Sequence, residues 1–258
     1  MLPTVQATRY VTPLKEGGSL PAIVEASDSG LYVLKFRGAG QGPLALVAEL
    51  LGGEIGRALG LKVPDLVLME VDTALGRNEP DPEIRDLLKA SVGVNLGVDY
   101  LPGSVTFDPA AGDTVEADLA SAIVWLDAFI TNVDRTPRNP NLLWWHKTLY
   151  LIDHGAALYF HHNWPTAETM ARSRFAAVRD HVLLPWASRL EEADRRLRPQ
   201  LNEALFARLI DQIPEDWLAG EPGLAAERRA GYLAFLTRRL EAAAEFVEEA
   251  ARARAHLV

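Results

Sequence analysis

Between Asp118 and Gly155 the chain passes from an apolar helix through a short polar loop into two brief apolar runs, and this succession limits the fold more than any other stretch. The spacing predicts a helix over Asp118 to Thr131, where Leu-Ala-Ser-Ala-Ile-Val-Trp-Leu-Asp-Ala-Phe-Ile is almost continuously apolar. Asn132-Val133-Asp134-Arg135-Thr136-Pro137-Arg138-Asn139 follows directly. Leu142-Leu-Trp-Trp and Leu149-Tyr-Leu-Ile-Asp, separated by His146-Lys147-Thr148, then read as a hairpin that presents Asp153 at its end. From about Ala176 the pattern is helical to the C-terminus, with Pro199, Pro214 and Pro222 marking breaks.

The residues upstream have a different character. Pro21 to Ser27 is strand-like, Asp28-Ser29-Gly30 is a turn signal, and Leu31-Tyr32-Val33-Leu34-Lys35-Phe36 reads as the second strand of a hairpin. Leu46, Val47, Leu50, Leu51, Ile55 and Leu59 recur at helical spacing between Leu44 and Leu59, and Gly60 stops that helix. Strands are expected again at Leu66 to Val71 and at Ser91 to Leu101. The change comes after Leu101-Pro102-Gly103. The expected fold is therefore α+β and two-lobed: a β-rich N-lobe over residues 1–102, a mainly helical C-lobe over 103–258, and a cleft between them.

Composition narrows the class further. The chain has 258 residues, 48% of them apolar, enough for a large core without covalent staples. There is no cysteine, so disulfides, thiolate metal sites and cysteine nucleophiles are excluded, and a cytoplasmic location is expected. A net charge of −9 argues against a nucleic-acid partner. The N-terminus shows no signal-peptide pattern, and no apolar stretch approaches the roughly 20 residues that span a bilayer. No membrane partner is expected.

The polar residues between the helix and the hairpin carry the chemistry. Asp-x-x-x-x-Asn, then a strand ending in Asp-x-Gly, is the pattern a metal-dependent phosphotransferase requires. Asp134 would orient or deprotonate an attacking hydroxyl, and Asn139 and Asp153 would hold a magnesium ion bridging nucleotide phosphates. A side-chain amide and a carboxylate supply the oxygen ligands that a hard cation prefers. Asn141 is an alternative to Asn139 if the register shifts. Arg135 and Arg138 can neutralise phosphate, though loop arginines are more often solvated. Lys35, inside an apolar strand, needs a partner if buried. Glu49 is the expected one, on a helix face kept low by Ala45, Ala48, Gly52, Gly53 and Gly56; Glu54 competes with it. Gly17, Gly18 and Ser19, between two strand-like runs, read either as a turn whose amides cradle phosphate or as an ordinary hairpin turn, for which glycine is the default residue. His154 reads as packed beside the site, His161 and His162 lack zinc-site spacing, and Trp144, Trp145 and Tyr150 read as core or interface aromatics. Leu224 to Leu257 reads as a surface or bundle helix.

These residues resemble the HipA-like kinases, within the protein-kinase and phosphatidylinositol-kinase-like superfamily. The resemblance runs from Thr12 to Asp153. It rests on Glu16-Gly17-Gly18-Ser19, Tyr32-Val-Leu-Lys-Phe36, Glu49 in a helix ending at Gly60-Leu-Lys-Val-Pro64, Asp134 with Asn139, and Ile152-Asp-His-Gly155. The chain lacks Gly-x-Gly-x-x-Gly. The resemblance implies ATP and Mg2+ as cofactors, with Asp134, Lys35 and Asn139 catalytic. It implies that Lys35, Glu49, Gly17, Gly18 and Ser19 bind nucleotide and that Asn139 and Asp153 bind metal. By the same analogy the acceptor is a Ser or Thr hydroxyl of a protein or of the chain itself; no toxin role follows. A small-molecule kinase of the aminoglycoside type is the first alternative, but Asn132-Val133-Asp134 stands where that group has His-Gly-Asp. A nucleotide-binding pseudokinase and a metal-dependent hydrolase are the others.

Overall fold

The computed structural model describes residues 1–14, 20–40, 42–77, 79–218 and 223–257. The N-terminal region contains β1 (Thr4–Pro13), β2 (Ala22–Ala26), β3 (Leu31–Lys35), α1 (Pro43–Ala58), β4 (Leu66–Val71), α2 (Pro82–Ala90) and β5 (Gly93–Asp99). β1 pairs antiparallel with β2 and parallel with β4, and the five strands close into a barrel in the order β1-β2-β3-β5-β4. The β2–β3 hairpin turns where the Asp-Ser-Gly signal stands: Ser29 takes φ 69°, the Gly30 amide donates to Asp28 Oδ1 at 2.9 Å, and Tyr32 Oη donates to Asp28 Oδ2 at 2.7 Å. Alternation along the strands sends Val5, Ala7, Val24, Leu34, Met69 and Val71 into the barrel.

β1 and α2 are not expected from the sequence. Mostly polar side chains flank the two inward residues of β1, Val5 and Ala7, so its strand pattern is faint. α2 starts on a local signal, Asp81 accepting from the Glu83 amide at 2.9 Å with Pro82 in the first turn.

α1 lies outside the barrel and is buried on nearly every side. Its start at Pro43 uses the fixed proline φ, and its end at Gly60, φ 78°, lets the Leu61 amide return to the Gly56 carbonyl at 3.0 Å. A side-chain Cβ at Gly56 would lie 3.1 Å from Leu126, so the glycine permits the close approach of the next helix.

The C-terminal region begins with the short strand β6 (Val105–Thr106) and continues with α3 (Ala117–Phe129), β7 (Leu142–Trp145), β8 (Thr148–Leu151), α4 (Ala167–Ala171), α5 (Leu190–Leu197), α6 (Glu203–Ile210), α7 (Glu215–Leu218), α8 (Leu224–Glu241) and α9 (Ala243–Ala255). β6, β7 and β8 form a second, three-stranded sheet. α3 is apolar all round because it is the central helix of this region. Trp125 and Phe129 stack on it at 5.4 Å, and Phe246 of α9 meets Trp125 edge-on at 5.6 Å. One continuous apolar cluster joins α1, α3, the hairpin and the C-terminal helices. The last turn of α3 is held by Arg239 of α8, which is fully buried and donates to the Ala128 carbonyl at 2.8 Å and the Phe129 carbonyl at 3.3 Å. The chain is mixed α+β, with a sheet-rich N-terminal region and a helical C-terminal region. No described helix is long and apolar enough to cross a membrane.

Candidate active site

Lys35 is the last residue of β3. Its neighbours Tyr32 and Leu34 point into the barrel, so strand alternation turns Lys35 outward toward α1. There Lys35 Nζ lies 2.8 Å from Asp153 Oδ1 and 3.7 Å from Glu49 Oε2. Burial opposes the ammonium charge, but Glu49 and Asp153 outweigh it and raise the lysine above its ordinary value.

Glu49 is 2% exposed in the middle of α1. Burial pushes its carboxyl up, yet Lys35 and then His154 overcome that and hold it down at about 2. Glu54, the competitor, instead faces Arg57 at 3.4 Å, and burial raises its pKa. His154 is fully buried with Nδ1 3.7 Å from Glu49 Oε1. Gly52 makes room for it: a Cβ at that position would stand 2.8 Å from the Cβ of His154.

Asp153 follows β8 in the left-handed conformation at φ 56°, and Asn141 precedes β7 at φ 50°. The Ile152 amide donates to the Asn141 carbonyl at 3.0 Å, so the two bends lie side by side at the base of the hairpin. Asn141 is buried, and its Nδ2 reaches the Asp153 carbonyl at 3.5 Å. Asp134 is half-buried in the preceding loop. The Asn132 side chain accepts from its amide at 3.2 Å, and Asp134 Oδ2 accepts from Asn139 Nδ2 at 2.8 Å. Burial and the nearby charge of Asp153 raise the Asp134 pKa above the ordinary carboxylate value, with Asn139 and Asn141 pulling against them.

Beneath the loop lies a buried polar network. Arg135 Nε meets Asp127 Oδ2 at 2.5 Å, His181 Nε2 meets the same oxygen at 2.9 Å, and Asn132 Nδ2 donates to Asp127 Oδ1 at 2.9 Å. Arg135 also donates to the Asn141 carbonyl and, at 3.2 Å, to the Ile152 carbonyl. One guanidinium therefore ties α3 to both ends of the hairpin. Burial works against the Asp127 charge, but Arg135 and His181 hold its carboxyl well below the usual range.

Asp134, Asn139, Asn141, Asp153, Lys35 and Glu49 thus form one connected set of polar side chains drawn from four segments of the chain: β3, α1, the loop between α3 and β7, and the bend after β8. Oxygen donors predominate, and among the described residues no group of three or more His, Cys, Asp or Glu stands close enough to hold a metal alone. A family model described as HipA-like kinase matches residues 8–245 of this sequence. The chain belongs to the HipA-like kinase family. It is accordingly a phosphotransferase, and its family uses nucleotide. No curated protein matches the chain. A solved structure, the Helicobacter pylori proinflammatory kinase CtkA, is similar in fold at a TM-score of 0.56 and 13% identity, with 99% of this chain and all of the CtkA chain covered.

Measured against the sequence reading, Lys35 and Glu49 come together as expected, and Asp153 joins them. Gly17, Gly18 and Ser19 lie outside the described residues. His154 is packed beside the site. Trp145 packs edge-on against Tyr150 at 5.6 Å, and its Nε1 donates to the Pro102 carbonyl at 3.0 Å. Two expectations are corrected: Arg135 is not solvated but 1% exposed, because Asp127 lies below it in α3, and the single helix expected over Leu224 to Leu257 is two, α8 and α9. Arg138 is exposed. Asp127 and His181 are not expected at the site from the sequence. A lone aspartate within Ile123 to Ile130 was the available signal, since a buried carboxylate demands partners.

Proposed function

We propose that this kinase transfers the γ-phosphate of ATP, with magnesium, to a Ser or Thr hydroxyl of a protein, its own chain included. The observation that carries the reading is the Lys35 ammonium held between Glu49 and Asp153. It joins a cation on the barrel to the carboxylate that follows the hairpin. In this reading residues 1–102 are the nucleotide-binding lobe and residues 103–258 carry the catalytic and metal-binding loops.

The residues present suit a nucleotide and magnesium. Asp153 offers a half-exposed carboxylate, and the loop offers asparagine oxygens, the hard donors that magnesium takes alongside phosphate. Asn141, buried and bonded to the Asp153 backbone, is the better placed of the two asparagines; Asn139 is exposed and bonded to Asp134 instead. Bound ATP and magnesium supply the transferable phosphoryl group and the positive charge that offsets its oxygens. Lys35 binds phosphate, and Glu49 fixes the lysine. Asn139 holds Asp134 by Oδ2, which leaves Oδ1 to orient the acceptor hydroxyl and take its proton. The raised pKa of Asp134 makes it a better proton acceptor than an ordinary aspartate.

Incubation with Mg-ATP, followed by mass spectrometry for phosphate on the chain and on added protein, tests the reading. Asp134→Asn is expected to bind Mg-ATP like the wild type in calorimetry and to transfer phosphate at least about a hundredfold more slowly. Near wild-type turnover by that variant would make Asp134 a structural loop residue. Transfer to small hydroxyl compounds but to no protein would move the acceptor to the aminoglycoside type.

A further inference from the structure

α7 is four residues long and belongs to the helical region, yet it grips the barrel beside Lys35. The β3–β5 register runs from Tyr32–Asp99 to Lys35–Leu96 and stops there. Two residues beyond Leu96 along β5, the indole N–H of Trp217 donates to the Val94 carbonyl at 2.9 Å. Two residues beyond Lys35, the Arg37 guanidinium lies 3.7 Å from Asp216 Oδ2. The Arg37 amide is itself held by the buried Asn95 side chain at 2.8 Å, so the end of β3 and the start of β5 move together. α7 also packs on α1, the helix that carries Glu49. Trp217 is 3% exposed. An indole N–H in such a place needs its acceptor, and the Val94 carbonyl supplies one where no β3 residue faces it.

We infer that Trp217 is a positioning residue for phosphate binding: by tying the end of the β3–β5 ladder to α1, it sets the distance between Lys35 and Glu49. This rests on the nucleotide reading given above. The pair stands at 3.7 Å, beyond direct hydrogen bonding, so its spacing depends on how strand and helix are held. Asp216 adds a weaker, exposed anchor to the same end of β3.

The test is calorimetric binding of Mg-ATP to the full chain, beside the melting temperature of each variant. Trp217→Phe keeps a ring in the core and removes the N–H; its affinity for Mg-ATP should fall about three- to tenfold, the range of one lost hydrogen bond. Phe235→Leu, in a ring stack with Phe160 at 3.8 Å in the helical region, is the control for lost packing. It should lower the melting temperature and leave Mg-ATP affinity unchanged. Wild-type affinity in Trp217→Phe, or equal weakening in Phe235→Leu, would overturn the assignment. Should Trp217→Phe fail to fold, the exposed Asp216→Ala carries the test, with about a twofold loss expected and wild-type affinity overturning it. A wild type that binds no Mg-ATP would instead defeat the nucleotide reading on which the inference stands.

Discussion

Arg135 Nε and Asp127 Oδ2 meet at 2.5 Å with both side chains wholly removed from solvent. The pair connects the central helix to the loop that carries Asp134, and each partner is committed to other buried groups as well. Removing one side leaves an uncompensated buried charge, which costs about 3–5 kcal/mol. Arg135→Met and Asp127→Leu are each expected to lose that much in urea unfolding. The double variant should lose clearly less than the sum. Additive losses would mean that the two charges do not depend on one another.

Lys35 and Glu49 are expected to behave as one unit in phosphotransfer. Lys35→Met and Glu49→Gln should each lower kcat/KM strongly, and the double variant should fall well short of the product of the two effects. Glu54→Gln should leave transfer within about twofold, since its partner Arg57 is a half-exposed helix neighbour. A damaging Glu54 change with a harmless Glu49 change would reverse the assignment.

The two loop asparagines should separate by function. Asn141→Ala is expected to raise the magnesium concentration needed for half-maximal transfer, because a metal ligand is lost beside Asp153. Asn139→Ala should leave that requirement unchanged and lower kcat, because Asp134 loses the bond that aims it. A magnesium titration of both variants decides. The reverse pattern would return the metal to Asn139.

Acid should destabilise this protein earlier than its carboxylates alone would. His161 and His181 are buried, and burial lowers the pKa of both, to about 3 for His161. Histidines held neutral in the native state leave the unfolded chain to bind protons first. Their contribution is therefore complete above the ordinary value near ~6.5 and is lost as the pH falls below it. Asp127, whose pKa is lowered, adds its own loss only below ~3.9. Urea midpoints should therefore drop between about pH 6.5 and pH 4.5. His161→Phe should flatten that slope. A midpoint level across that range would show that neither ring is held neutral.

Much of this was legible from the residues in order. The hairpin turn at Asp28-Ser29-Gly30, the helix between Leu44 and Gly60, the apolar α3 and the hairpin ending at Asp153 are all local events, governed by periodicity, turn chemistry and caps within a few residues. Lys35, Glu49, Asp134, Asn139 and Asp153 were singled out by residue type, by spacing and by the resemblance to HipA-like kinases, and the roles proposed for them rest on that. β1 was not readable: only Val5 and Ala7 of its side chains are fully buried, and its strand state comes from pairing with β2 and with β4.

Contacts between distant segments belong to the tertiary structure alone. That Lys35 pairs with Glu49 and not with Glu54 depends on which face of α1 meets the barrel, although the two glutamates lie only five positions apart. That Arg135 is buried while Arg138 is solvated depends on a carboxylate from α3 that waits beneath one and not the other. Trp217 reaches Val94 across 123 positions of chain. Spacing along a sequence reports forces that act within a turn or two. A buried charge or indole finds its partner through packing, which is decided only when whole elements meet.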